Sequence, residues 1–123
     1  MAFDPASLDA PFAALAAYDW GGDAAAFKAI DTAVVAAHAE EPLRAELEKR
    51  LGAILGAGSS RAAKAYACRK LMLIGGAASV PALAALLADA EDSHMARFAL
   101  ERIDASEAAA ALRQPFGAPR ATR

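Results

Sequence analysis

Few residues in this chain could bind a metal or a phosphate. The only histidines are His38 and His94, and the only cysteine is Cys68. A zinc site takes three or four ligands at regular spacing, and neither histidine has a His or Cys three or four residues away. The glycines from Gly52 to Gly58 lack the Gly-Lys-Ser/Thr ending of a phosphate-binding loop. The sequence therefore predicts no metal site and no cofactor.

Cys68 is the one candidate nucleophile. Lys64, Arg69 and Lys70 would lower the pKa of its thiol if they faced it. A catalytic thiol also needs a base and a group that orients the base, and no histidine lies close in sequence. A single cysteine among alanines on a helix usually acts as a small packing residue. We therefore expect Cys68 to lie in the core, and we predict no catalytic residue.

Trp20 is the first of two candidate binding residues. It lies between Asp19 and the pair Gly21–Gly22, which places a large aromatic side chain in a turn. Exposed tryptophans are frequent anchors of protein interfaces. The alternative is that Trp20 covers the end of the first helical hairpin, with its ring packed on the core. Burial of the ring distinguishes the two interpretations.

The charge pattern does not predict nucleic-acid binding. Residues 1–58 carry four basic and nine acidic side chains, and residues 59–123 carry nine basic and six acidic ones. Proteins that bind nucleic acids usually combine clustered Lys and Arg with interleaved aromatic residues, whereas this chain has a net charge of −2. Either both surfaces are simply solvated, or the molecule is dipolar and could stack head to tail or bind an anionic partner at one end.

Composition predicts the fold class. The chain has 123 residues, of which 57% are apolar and about three in ten are alanine. Alanine is the strongest helix former and a poor strand former, so we predict an all-α domain. One cysteine cannot form an internal disulfide, and the first residues lack the basic and apolar segments of a signal peptide. We therefore expect a cytoplasmic protein with no membrane span.

Helical periodicity, interrupted by short breaks, runs through the chain up to about Arg113. The first helix is predicted from about Ser7 to Asp19. The uncharged stretch 71–88 is long enough to cross a membrane, but its glycines, Ser79 and Pro81 predict two helices joined by a turn. The predicted apolar faces of the first five helices are Phe12, Leu15, Ala16 and Tyr18; Phe27, Ile30, Val34 and Ala37; Leu43, Leu47, Leu51, Ile54 and Leu55; Ala63, Tyr66, Ala67, Leu71 and Ile74; and Val80, Leu83, Ala84 and Leu87.

Several polar residues have predicted structural roles. Asp23, the segment 56–60 and Ser79 are predicted to cap the N-termini of the helices that follow them, since aspartate and serine side chains can accept hydrogen bonds from free backbone N–H groups. Arg44, Glu48 and Lys49 lie off the leucine face of the third helix. We therefore expect Glu48 to be exposed, with its replacement by alanine changing the free energy of unfolding by no more than about 0.5 kcal/mol.

The last four helices repeat with an offset of 29 residues. Each unit is a helix, a tight turn and a second helix, which is typical of repeat proteins in which each hairpin buries a face against the next. An alanine-rich bundle could produce the alanine matches, but the Leu and Ile matches are harder to explain that way. The matching pairs are Tyr66 and Met95, Ala67 and Ala96, Leu71 and Leu100, Ile74 and Ile103, and Leu83 and Leu112.

This repeat resembles the HEAT family. Residues 75–89, with a Val-Pro-Ala-Leu start and a Leu-Leu-Ala-Asp end, look like the second helix of a HEAT repeat. Residues 94–103 are similar to the first helix of the next repeat, with Arg97 and Ile103 where the family usually has an arginine and an aliphatic residue. The resemblance is strong over about residues 60–113 and weaker over 23–58. Cys68 stands at the position equivalent to Arg97, which departs from the family pattern.

The resemblance implies an α-solenoid of about three HEAT-like hairpins with an N-terminal capping helix. It implies one domain over residues 1–114 and a flexible tail over 115–123. HEAT proteins bind partner proteins, so the expected function is a non-enzymatic interaction scaffold with an unidentified protein partner. The alternative is a role like that of the bacterial HEAT proteins resembling phycobilin lyases, or another enzyme-associated role. The resemblance also implies that Arg97, the second candidate binding residue, braces the turn between repeats.

The sequence also predicts that the C-terminal hairpin takes part in association. The hairpin from Met95 to Arg113 has no following repeat to cover its outer side, and solenoids need polar caps at their ends. The acidic first half and basic second half add a weak attraction between molecules. We therefore predict either a weak homo-oligomer through the C-terminal end or a longer partner that docks there.

Overall fold

The computed structural model describes residues 4–22, 24–56, 58–89 and 92–113. Those residues contain no strand, so the predicted all-α class is confirmed for them. Asp23 and the predicted tail 115–123 lie outside the described residues. The α-helices are α1 (Asp9–Ala16), α2 (Lys28–Ala36), α3 (Glu41–Gly56), α4 (Arg61–Ile74), α5 (Val80–Leu86), α6 (Ser93–Arg102) and α7 (Ser106–Arg113); short 3-10 helices span Pro5–Leu8, Ala24–Phe27 and Ala77–Ser79.

Local sequence accounts for several helix ends. The Asp4 carboxylate accepts a hydrogen bond from the Ala6 N–H, which starts the first 3-10 turn before α1. Helix α1 is shorter at both ends than the predicted segment 7–19, and at its N-terminal end residues 7 and 8 belong to the 3-10 turn. Within the predicted capping segment 56–60, Ser60 caps α4, since its hydroxyl accepts a hydrogen bond from the Ala63 N–H.

The apolar faces predicted from periodicity meet in one continuous core. The faces of α3 and α4 are buried throughout, and so is the face of α2 with the adjoining Phe27 and Ala37. The prediction is wrong for Ala16, which is exposed, and at the end of α5, where Leu86 is buried and Leu87 is only half-buried. The large side chains that are almost fully buried include Leu15, Ile30, Leu47, Leu51, Leu71, Leu83 and Leu100.

Helix packing follows an alternating pattern. Contacts join α1 to α3, α3 to α5 and α5 to α7, and they also join α2 to α4 and α4 to α6. Sequential neighbours pack as well, most extensively α3 on α4, and α5 on α6. The sequence pairs α4 with α5 in one hairpin, but α5 packs on α3 and α6 and makes few contacts with α4 in the described part of the chain.

The stretch 71–88 divides into two helices, as predicted. Helix α4 ends at Ile74 and α5 begins at Val80. Glycine is required at position 75, because a Cβ there would lie 2.5 Å from the Leu71 carbonyl oxygen. No described helix combines the length and the apolar character needed to cross a bilayer.

The expectation that Glu48 is exposed is wrong. Its exposed fraction is 7%, and its Oε2 accepts hydrogen bonds from the Gly76 N–H and from the Ser79 hydroxyl, the latter at 2.8 Å. A buried carboxylate is costly unless it is paired or hydrogen-bonded, and here the donors come from the turn between α4 and α5. Glu48 therefore fastens this turn to α3, which explains why α5 packs on α3.

The predicted cap at Ser79 is wrong for the same reason. Its side chain makes no capping hydrogen bond to α5, because the hydroxyl donates to Glu48 instead. Ser79 is itself 1% exposed, so its hydroxyl needs a partner within the protein. The carboxylate of a preceding helix thus replaces the local serine cap at this junction.

Burial follows the 29-residue repeat at most of the matched positions. Ala67 and Ala96, Leu71 and Leu100, and Ile74 and Ile103 are all buried. The remaining partners differ, because Met95 and Leu112 are half-buried whereas Tyr66 and Leu83 are buried. Three of the five matched pairs are therefore buried at both positions.

Candidate functional site

Trp20 lies in a hydrogen-bonded turn after α1. The Gly22 N–H donates to the Asp19 carbonyl oxygen at 2.9 Å, and the Asp19 carboxylate accepts from the Trp20 N–H at 2.7 Å. Gly21, the third residue of the turn, has a φ of 88°, which favours glycine and has the sign that type II turns require there. The turn fixes the backbone of Trp20 while 69% of the residue stays exposed. Trp20 therefore does not cover the core.

An aromatic cluster lies behind this turn. Phe27 packs edge-to-face with Tyr18 on one side and with Tyr66 on the other, with ring centroids 4.9 Å apart in both pairs. Phe27 and Tyr66 are buried and Tyr18 is half-buried. Edge-to-face pairs at this distance add a specific attraction to the burial of apolar area. The cluster joins the turn after α1, the start of α2 and the middle of α4.

Ser60 attaches the turn to α4. Its hydroxyl donates to the Tyr18 carbonyl oxygen and accepts from the Ala63 N–H, so one side chain both caps α4 and holds the residue at the end of α1. The position of Trp20 relative to α4 is therefore set by hydrogen bonds as well as by packing. A rigid support of this kind reduces the entropy lost when a side chain binds a partner.

A charged network borders the aromatic cluster. The Asp31 carboxylate accepts a hydrogen bond from the Tyr66 hydroxyl at 2.5 Å and lies 3.0 Å from the Lys70 Nζ. Burial by itself would raise the pKa of Asp31, but the bonds from Tyr66 and Lys70, with the charges of Lys70 and Lys28, outweigh it and lower this pKa. Burial and the bond to Asp31 raise the pKa of the Tyr66 hydroxyl, which stays protonated and donates.

These groups line a pocket of about 480 Å³ between the turn, α2 and α4. This volume falls in the range of known ligand pockets. The lining combines aromatic rings with three cations and a single carboxylate: Tyr18, Trp20, Ala25, Phe27, Lys28, Asp31, Ala62, Tyr66, Arg69 and Lys70. We call this site the Trp20 pocket.

The structure separates the two candidate binding residues. Trp20 lines the pocket, whereas Arg97 lies on α6 and does not. Arg97 is half-buried, and the ion pair that its spacing from Glu101 suggests is absent from the described residues; Glu101 lies 3.9 Å from Arg102 instead. The role of Arg97 as a brace between repeats stays a prediction.

Several other basic side chains contact a carboxylate or an aromatic ring. The side chains of Arg61 and Lys64 lie 3.8 and 3.7 Å from the carboxylate of Asp92, which is itself buried. The Arg102 guanidinium lies 3.9 Å from the centre of the Phe98 ring. The Arg69 guanidinium lies above the Tyr66 ring at the edge of the Trp20 pocket, 5.9 Å from the ring centre.

Cys68 is placed in the core, as expected. It is 2% exposed, and burial, together with the charge of Asp92, raises the pKa of its thiol to about 12 even though Arg69 acts in the opposite direction. The thiol is therefore protonated near neutral pH and is a poor nucleophile. His38 and His94 are exposed, and no cluster of metal-ligating side chains occurs among the described residues.

Comparison with known proteins does not place the chain in a family. No family model, no curated protein and no solved structure matches it. The candidate site is therefore defined by its own geometry.

Sequence reasoning found Trp20 but missed the rest of the pocket. In the sequence, Arg69 and Lys70 stand out as neighbours of Cys68, and Lys28 and Asp31 only as polar residues off the apolar face of their helix. One signal was available: Tyr66 lies on a predicted core face, and a buried tyrosine hydroxyl needs a hydrogen-bond partner. That requirement predicts a polar group facing α4, although it does not say which helix supplies it.

Proposed function

We propose that the chain is a non-enzymatic scaffold of HEAT-like hairpins that binds a partner protein at the Trp20 pocket. The observation that carries the proposal is the exposed Trp20 ring, held on a fixed turn beside a pocket that also contains Tyr66 and Arg69. Tryptophan, tyrosine and arginine are the residues most enriched among the energetic centres of protein interfaces. Their convergence favours a binding surface over an accidental exposed ring.

Two features support a HEAT-like arrangement. Alternate helices contact one another along the chain, from α1 to α7 in one series and from α2 to α6 in the other, as expected of stacked helical units. The positions related by the 29-residue offset also share burial at Ala67 and Ala96 and at Leu71 and Leu100. The few contacts between α4 and α5 are a departure from a simple hairpin, which we attribute to the link between Glu48 and the intervening turn.

The enzyme-associated alternative is less favoured, because the environment of Cys68 does not suit a catalytic thiol. A role like that of the phycobilin lyase group would need an active residue such as Cys68, but this thiol is buried and its pKa is raised. The exposed aromatic and cationic groups of the Trp20 pocket are instead suited to binding.

The proposal is tested by comparing two exposed apolar side chains. Trp20→Ala removes the proposed anchor, and Val35→Ala is the matched control, because Val35 is 72% exposed on α2 and does not line the pocket. A protein captured by the wild-type chain is purified, and its dissociation constants are measured by calorimetry. Trp20→Ala should weaken binding by tenfold or more, roughly the loss expected at an interface centre, and Val35→Ala should leave it unchanged. Equal affinities for the two variants, or no partner at all, would contradict the proposal.

A further inference from the structure

We infer that the Trp20 pocket recognises an acidic peptide segment of the partner, in which carboxylates flank an aromatic side chain. This inference rests on the proposed function and specifies the chemistry of the partner. It rests on the excess of cations over carboxylates in the pocket and on the aromatic residues that also line it.

The cations of the pocket outnumber its carboxylates. Lys70 is paired with Asp31 at 3.0 Å. Lys28 and Arg69 are exposed, and within the described residues neither has a carboxylate within 4.0 Å. Because the pKa of Asp31 is lowered, its charge is present at neutral pH and cancels only one of the three cations. The pocket therefore keeps two positive charges for an incoming anion.

The aromatic walls define the second part of the ligand. Tyr18, Phe27 and Tyr66 line the pocket, with Phe27 and Tyr66 almost fully buried behind it, and Trp20 adds an exposed ring. An aromatic side chain that packs between the exposed Trp20 ring and the half-buried Tyr18 would gain edge-to-face contacts and bury apolar area. Its flanking carboxylates would then meet Lys28 from α2 and Arg69 from α4, which lie on different elements. One peptide segment can supply both kinds of contact.

The charge pattern favours an acidic segment over a neutral or basic one. A basic peptide would place like charges beside Lys28 and Arg69, and a neutral one would leave both cations without a new partner. Arginine also stays charged at every accessible pH and binds carboxylates through two parallel N–H groups. Because these groups are exposed, the attraction should decrease as salt screens it.

The probes are two blocked tripeptides, acetyl-Asp-Phe-Asp-amide and the neutral acetyl-Asn-Phe-Asn-amide. Trp20 is the only tryptophan of the chain, so its fluorescence reports directly on occupancy of the pocket. We expect the acidic peptide to bind about fivefold more tightly or better at low salt, and we expect added salt to reduce this preference. Lys28→Gln and Arg69→Gln should each lower the preference about two- to fivefold. Lys49→Gln, which removes an exposed cation of α3 outside the pocket, is the matched control and should change nothing.

The outcomes separate this inference from the proposed function. Equal binding of the two peptides, binding of neither, or an equal effect of Lys49→Gln would overturn the acidic specificity, even if a partner that depends on Trp20 is found. Preferential binding of the acidic peptide that requires Lys28 and Arg69 would support the specificity, even if no partner protein distinguishes Trp20→Ala from Val35→Ala. Thermal melts of each variant confirm that the compared chains are folded.

Discussion

Two carboxylates lie against α4 and the turn that follows it, and they differ in what they bind. Asp31 has a half-exposed side chain and accepts its bonds from two side chains of α4, Tyr66 and Lys70. Glu48 is buried and accepts its bonds from the backbone of Gly76 and from Ser79. One carboxylate borders an open pocket, and the other closes a junction between helices.

The difference shows that burial determines whether a carboxylate stabilises the fold or sets the charge of an open pocket. Glu48 is itself buried, and its carboxylate satisfies the buried Ser79 hydroxyl and the half-buried Gly76 N–H, so its contribution is to the fold. At Asp31, water competes for the charge and screens its ion pair, so its contribution to stability is small. The network around Asp31 instead sets how much positive charge the Trp20 pocket offers to a ligand.

The largest expected effect on the free energy of unfolding comes from replacing core leucines. Leu47 precedes Glu48 in α3 and is 0% exposed, as is Leu71 in α4. Leu47→Ala and Leu71→Ala should each lower the free energy of unfolding by about 2–5 kcal/mol, because each leaves a cavity in the core. Chemical denaturation measures this change, and a loss below about 1 kcal/mol would show that the core is displaced from these helices.

Glu48→Ala should lower the free energy of unfolding nearly as much as the replacement of a core leucine by alanine. We expect a loss of about 2–3 kcal/mol, because the buried Ser79 hydroxyl and the half-buried Gly76 N–H lose their acceptor. Glu48→Gln keeps an amide oxygen as an acceptor and should cost about 1 kcal/mol. The neighbouring exposed residue supplies the control, since Lys49→Ala should stay within about 0.5 kcal/mol. If Glu48→Ala and Lys49→Ala unfold at the same denaturant concentration, the junction does not form as described.

Asp31→Asn should have a small effect on stability that depends on pH. The folded state lowers the pKa of Asp31 below its ordinary value of 3.8, so its stabilisation is present above that pH and is lost as the pH falls through the folded-state pKa. The variant should therefore lose less than about 1 kcal/mol at neutral pH, and it should match the wild-type chain in acid. Urea titrations at both pH values measure the difference. A cost that is the same at both pH values would show that the ion pair with Lys70 is not its source.

The leucine face of α3 and the core face of α4 were predictable because burial there follows helical periodicity. Glu48 was missed although the pattern held a signal: it precedes Leu51 by three residues and Leu55 by seven, which places it on their side of the helix. Helix α3 packs against both α4 and α5, so its buried surface is wider than a single row of leucines. The donors that make burial of a carboxylate tolerable come from a turn almost thirty residues away.

The Trp20 pocket was predictable only in part. The turn residues around Trp20 mark an exposed aromatic, because Gly21 supplies the positive φ that the turn needs. The presence of Lys28 and Arg69 in one pocket depends on how α2 packs on α4, and no local sequence pattern predicts that packing. Long-range packing, through the contact of Phe27 with Tyr66, brings the two cations to one pocket.

The central claim is that Glu48 maintains the fold while Asp31 tunes the charge of the Trp20 pocket. The most direct test is a titration of Asp31→Asn and Glu48→Gln with acetyl-Asp-Phe-Asp-amide, followed by the fluorescence of Trp20. Asp31→Asn removes the pocket's carboxylate and releases Lys70, so it should bind the peptide about two- to fivefold more tightly than the wild-type chain. Glu48→Gln should bind like the wild-type chain and melt at a lower temperature. Weaker binding by Asp31→Asn, or an equal change in affinity for both variants, would contradict this account.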